Sequence, residues 1–108
     1  MAVNEDYLTF VQDQLSGTDP FETKKMFGGI GFFRDGIMFG MIGGGVLRLR
    51  VNDNTKPKYE AAGMEPLKSK SGKGGMPYYE VPQGILEDQK ELANWANEAF
   101  QVAVEAKK

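Results

Sequence analysis

Neither cysteine nor histidine occurs in this 108-residue chain. Without cysteine there is no disulfide framework, no thiolate metal site and no thiol nucleophile. Without histidine the commonest general base and the commonest metal ligand are missing. Ser-His-Asp and Cys-His mechanisms therefore cannot be assembled from this chain. Long apolar runs are absent too, and nothing approaches the roughly 18–20 apolar residues of a membrane span. Residues 1–15 carry acidic side chains and no continuous apolar core, unlike a secretory signal. The expected location is the cytoplasm, with no membrane partner. A basic excess is also missing: the formal net charge is −2 and the pI about 5.1. A free-standing DNA-binding domain usually carries a net positive footprint, because neutralised phosphates supply much of its affinity. Direct nucleic-acid binding is disfavoured.

What remains is an ordinary globular composition, with 41% hydrophobic, 11% aromatic and 26% charged residues. The length suits one domain with one core, so residues 1–108 are expected to form a single unit. At about 100° per residue, Val3, Tyr7, Leu8, Phe10, Val11 and Leu15 fall on one arc and predict a helix over 4–15, with Asn4 as N-cap. Ser16-Gly17 ends it. Strands are predicted over 26–34, 37–42 and 46–51. Asp35-Gly36 joins the first two, and the glycines at 43–45 join the second to the third. In the third strand Leu47, Leu49 and Val51 point one way and Arg48 and Arg50 the other. A short helix follows over 58–62, with Pro57 in its first turn and Gly63 as its stop. Strands over 65–71 and 76–81 come next, and Pro77 suggests an edge or a strand start for the latter. From Asp88 the apolar residues Leu92, Trp95, Ala96, Ala99, Phe100 and Ala103 recur at helical spacing. The expected class is α+β: two layers, order α-β-β-β-α-β-β-α, with an antiparallel five-stranded sheet packed on helices.

Eight of the 14 glycines fall between residues 24 and 45. A dinucleotide fingerprint needs its third glycine and a following helix, but Gly29-Ile30-Gly31 is followed by Phe32-Phe33-Arg34 and a strand. A P-loop fails as well, since Gly72-Lys73 precedes Gly74 and position 67 is leucine. Gly28, Gly29, Gly31 and Gly40 instead read as glycines inside strands. There they mark a bulge, a bend or a close approach, or else they bare one face for a ligand or partner.

The run from Lys25 through Met26-Phe27-Gly28-Gly29-Ile30-Gly31 to Asp35-Gly36, then Leu47-Arg48-Leu49-Arg50-Val51-Asn52-Asp53, resembles the TfoX N-terminal domain family. That family is named for the bacterial competence regulator TfoX, also called Sxy. Later landmarks agree: Tyr59 to Leu67, Met76 to Asp88, and the helix containing Trp95. The resemblance implies a two-layer α+β domain with an antiparallel sheet. The helical C-terminal domain of full-length regulators has no counterpart here, so a stand-alone domain is expected.

Function follows as an expectation. A non-enzymatic regulatory or adaptor domain would act through protein contacts in transcriptional regulation. The alternative is a small-ligand-binding domain that uses the glycine and aromatic sheet face. The candidate surface comprises Lys25, Gly28, Gly29, Gly31, Arg34, Arg48 and Arg50. Lys24, Lys68 and Lys70 could extend it into a basic patch, against which stands a plain solvated face. No catalytic residue, metal or cofactor is implied. The partner is expected to be a regulatory protein or a second copy of the chain. The second strand is apolar on both faces at Met38, Met41 and Ile42, and such a surface needs cover from a helix or from a homodimer partner.

Overall fold

The computed structural model describes residues 5–18, 20–26, 29–43, 45–68 and 75–107. Chain order is α1 (Glu5–Gln14), a 3-10 turn (Leu15–Gly17), β1 (Glu22–Met26), β2 (Gly29–Arg34), β3 (Ile37–Gly43), β4 (Val46–Arg50), α2 (Lys56–Ala61), β5 (Pro66–Lys68), β6 (Gly75–Glu80), α3 (Gln83–Leu86) and α4 (Gln89–Ala106). The strands form one antiparallel sheet in the order β1-β2-β3-β4-β6-β5. The fold is α+β, as the sequence indicates, and the five expected strands occur in their expected order.

A sixth strand, β1, joins them at one edge. It lies almost wholly before the strand expected over 26–34: β1 ends at Met26, which pairs with Gly29, and of the expected run residues 29–34 form β2. Phe27 and Gly28 lie outside the described residues, as do Asn4 and the expected turn and strand residues 69–74. Pro77 is a second correction. It sits in β6, between β4 and β5, and not at an edge. Proline has no N–H to give a ladder. The β5–β6 register shifts between Pro66↔Tyr79 and Lys68↔Gly75, and Pro77 falls in that irregular stretch. Its carbonyl still accepts from the Val51 N–H at 2.9 Å.

Alternation in β4 and β6 sends Leu47, Leu49, Tyr79 and Val81 to the helix layer. There they join Ile30, Phe32, Phe39 and Ile42 from β2 and β3. Val11, Leu15, Leu92, Ala96 and Ala99 close the core from above. Each large side chain so buried contributes about 1.5–3 kcal/mol. α4 begins where Asp88 accepts from the N–H groups of Lys90 and Glu91, which satisfies two otherwise orphaned donors. Phe10 departs from its expected inward position. At 39% exposure it lies at the margin of the buried stripe, which Val11 and Leu15 occupy.

β3 contains a bulge. Phe32 pairs with Gly40 but Phe33 pairs with Met38, which leaves Phe39 unpaired. The extra residue lets Phe39 turn into the core against Phe21 and Phe100. Gly40 is the other half of this device. A Cβ there would sit 2.9 Å from the Arg48 carbonyl oxygen and 3.0 Å from Leu49 Cδ2. Where β6 ends, the Leu47 N–H donates at 2.9 Å to the Tyr7 hydroxyl of α1, so a helix side chain takes the place of a strand partner.

Two outcomes follow. Gly40→Ala should destabilise by about 1–3 kcal/mol, because backbone must yield to the added methyl. Gly84→Ala, with nothing within 4 Å of the new atom, should be neutral or stabilising by up to about 1 kcal/mol. Urea unfolding of the two variants reads the contrast. Three tyrosines also set an alkaline limit. Burial and then Glu98 push Tyr59 up, burial and then Glu80 push Tyr7 up against the Leu47 hydrogen bond, and the Glu60 carboxylate raises Tyr79. The folded state then keeps protons that the unfolded chain releases above its normal tyrosine value near 10. The stability these tyrosines contribute should be lost above about pH 10, and Tyr59→Phe should flatten that alkaline slope in urea midpoints measured against pH.

Candidate functional site

One sheet face is covered by helices. On the other, strand parity gathers the remaining residues. Gly29, Gly31 and Phe33 of β2, Met38, Met41 and Gly43 of β3, Val46, Arg48 and Arg50 of β4, and Tyr78 and Glu80 of β6 share it. From β1, Lys24 opposite Gly31 and Glu22 opposite Phe33 complete the set. Met38 and Met41 are three residues apart and would normally point to opposite sides. The bulge at Phe39 brings both to this face. Phe33, Met38, Met41 and Val46 remain partly exposed.

Arg48 is held by its neighbours. Its Nε donates to the Gly43 carbonyl at 3.0 Å and its Nη1 to the Glu65 carbonyl at 3.2 Å, and Glu80 faces it across the ladder. Partial burial pushes its pKa down and the Glu80 charge pulls the other way. Arg50 is placed differently. Its guanidinium lies 5.6 Å from the Tyr78 ring, and its Nε is buried with no acceptor among the described residues. A buried donor left unpaired costs about 1–3 kcal/mol, and Arg34 Nε on the helix side is placed likewise. Lys24 lies over Phe33 at 5.1 Å.

The residues expected to form one surface divide. Gly29, Gly31, Arg48 and Arg50 do share the open face. Lys25 is exposed but pairs with Ile30, on the helix-layer side, and its neighbour Lys24 is the open-face lysine. Arg34 is no surface residue: it is 8% exposed. Its guanidinium is sandwiched 5.3 Å from Phe39 and 4.7 Å from Phe100, and Nη2 donates to Asn97 Oδ1 at 3.2 Å. The signal was in the spacing, because Ile30, Phe32 and Arg34 alternate onto one face. Gly28 and Lys70 lie outside the described residues, and the Lys68 side chain is not described. Gly40 belongs to the helix side, where close packing and not a ligand requires it. Ile42 is fully buried there as well. The sequence reading passed over Val46, Tyr78 and Glu80, whose membership rests on the β4–β6 pairing.

Chemically, the face offers cations, partly exposed thioethers and the Phe33 ring, while Gly29, Gly31, Gly43 and Tyr78 on it are buried. Among the described residues no group of three or more acidic side chains is placed to hold a metal ion, and no helix is long and apolar enough to cross a membrane. The arrangement suits binding by shape and charge.

The profile of the TfoX N-terminal domain family matches residues 13–103, so the chain belongs to that family. No curated protein matches it.

The two kinds of arginine should separate on mutation. Arg34→Ala empties the space between two rings and should lower stability by about 2–3 kcal/mol. Arg50→Ala should change it by less than about 1 kcal/mol. Thermal unfolding followed by circular dichroism distinguishes them.

Proposed function

We propose that this TfoX N-terminal domain is a regulatory adaptor that works without catalysis, in the cytoplasm, through protein contacts made by its open sheet face. The observation that carries this reading is the grouping of the half-buried Arg48 and Arg50 with the partly exposed Phe33, Met38, Met41 and Val46 on one sheet face. Arg48 has carbonyl acceptors of its own, which leaves the half-buried Arg50 as the arginine that a partner's acidic group would meet. The fitting partner presents an acidic group to Arg50 and apolar side chains to Phe33, Met38 and Met41. Interfaces commonly have this make-up, with arginine, methionine and aromatics at the centre and charge at the rim. Its family membership supports a role in transcriptional control, as for the competence regulator that gives the family its name.

A complementation experiment tests this. Deleting the gene should change a defined set of transcripts, and the wild-type chain should restore them. Arg50→Glu should fail to restore them while keeping its thermal stability within a few degrees of wild type. In vitro, the same variant should weaken capture of the cross-linked partner by about ten-fold or more, and salt should weaken the wild-type complex. Full restoration by a folded Arg50→Glu protein would remove the open face from the function.

A further inference from the structure

We infer that the protein pairs with a second copy of itself through β1, edge to edge and antiparallel, on a two-fold axis passing through Thr23. β1 is the terminal strand of the sheet, and Glu22, Thr23, Lys24 and Lys25 are all exposed along it. An unpaired edge invites another strand unless its charges repel the newcomer. Whether they repel here depends on register, and symmetry leaves few registers.

In a two-fold pair, residue i faces residue j of the other copy and j faces i. Backbone N–H and C=O groups alternate in direction along a strand, so opposed residues must have the same orientation. The axis therefore passes through a residue, not between two. Within β1 the possible interior centres are Thr23, Lys24 and Lys25. Centring on Lys24 sets the two lysines against each other, and centring on Lys25 does the same with that pair. Opposed like charges destabilise a ladder. Centring on Thr23 sets Glu22 against Lys24 of the second copy, and Lys24 against its Glu22. Both ion pairs are favourable, and the small Thr23 meets itself on the axis. The self-complementary run is thus Glu22-Thr23-Lys24, three residues read the same way from both sides.

The rest of the sheet agrees with this register. Glu22 and Lys24 lie opposite Phe33 and Gly31, so both ion pairs form on the open face. The Lys24 ammonium rests over the Phe33 ring at 5.1 Å on that same face. The product is one sheet running through two copies, with their open faces side by side. The inference rests on β1 alone and stands or falls separately from the role given to Arg50.

The absence of cysteine makes the test clean, since one introduced thiol is the only one present. Opposed residues in an antiparallel pair have Cα atoms about 4.5–5.5 Å apart, within the range a disulfide spans. Thr23→Cys, Lys24→Cys and Lys25→Cys are each oxidised mildly in the full chain, and covalent dimer is measured. Thr23→Cys should cross-link about ten-fold faster than the other two. Sedimentation of cysteine-free protein should show a dimer whose Kd rises about ten-fold with Lys24→Glu and again with Glu22→Lys. The double swap Glu22→Lys with Lys24→Glu should return it to the wild-type value. A wild-type monomer at every concentration overturns the inference. So does fastest cross-linking at Lys24→Cys or Lys25→Cys, or a double swap no better than either single change. Circular dichroism on each variant confirms that these exposed substitutions leave the fold intact.

Discussion

The bulge at Phe39 sets the terms for both faces of the sheet. One additional residue in β3 sends Phe39 into the core beside Arg34 and Phe100. The same residue shifts the parity of everything before it. Met38 and Met41, which a regular strand would place on opposite sides, come to lie together on the face turned away from the helices. Gly40 is needed because the β4 backbone comes too close for any side chain. Packing on one side and the composition of the opposite face thus trace to one local irregularity.

Arginine serves two ends in this small domain, and environment decides which. Arg34 is clamped between two aromatic rings and anchors α4 to β2 through Asn97. Its planar guanidinium is suited to stacking and is more weakly hydrated than an ammonium, so burial costs it less. Arg48 and Arg50 lie on the far side of the sheet, one engaged with carbonyl oxygens and the other with only a ring and a buried, unpaired Nε. Elsewhere the same chemistry is structural again. Lys58 lies 4.2 Å from the Trp95 ring and forms an ion pair with Glu98, which ties α2 to α4.

The elements that could be read from the sequence were those in which one local rule acts alone. Alternation in Val46–Arg50 gave β4 and its faces, helical spacing after Asp88 gave α4, and Asp35-Gly36 gave the β2–β3 turn, where both residues adopt positive φ. The misreadings occurred where two rules compete. Glu22-Thr23-Lys24-Lys25 has too few apolar residues to announce a strand, and it is one because β2 offers an edge to pair with. Pro77 argued for an edge or a strand start, yet an irregular register lets it sit inside β6 within the sheet. Arg34 was taken for surface on charge, although its spacing from Phe32 already placed it with the core. Part of the candidate face was legible as Gly29, Gly31, Arg48 and Arg50. The contributions of β6 were not, because no local pattern says that β6 enters between β4 and β5.

That insertion divides the sheet by contact order. β1 to β4 pair as a meander of sequence neighbours, and β5 pairs with β6 in the same way. A single ladder, β4 against β6, joins the two halves, and it closes the longest stretch of chain in the sheet. Its loop-closure entropy is the steepest that the topology imposes. Hydrogen bonds from Val81 to Leu47 and from Val51 to Pro77 fasten its two ends. Glu80, Tyr78 and the Glu65 carbonyl reach the arginines of β4 only across that ladder. The charged half of the open face is therefore a long-range product of folding, and a ligand that grips it is in effect reading whether the chain has finished closing.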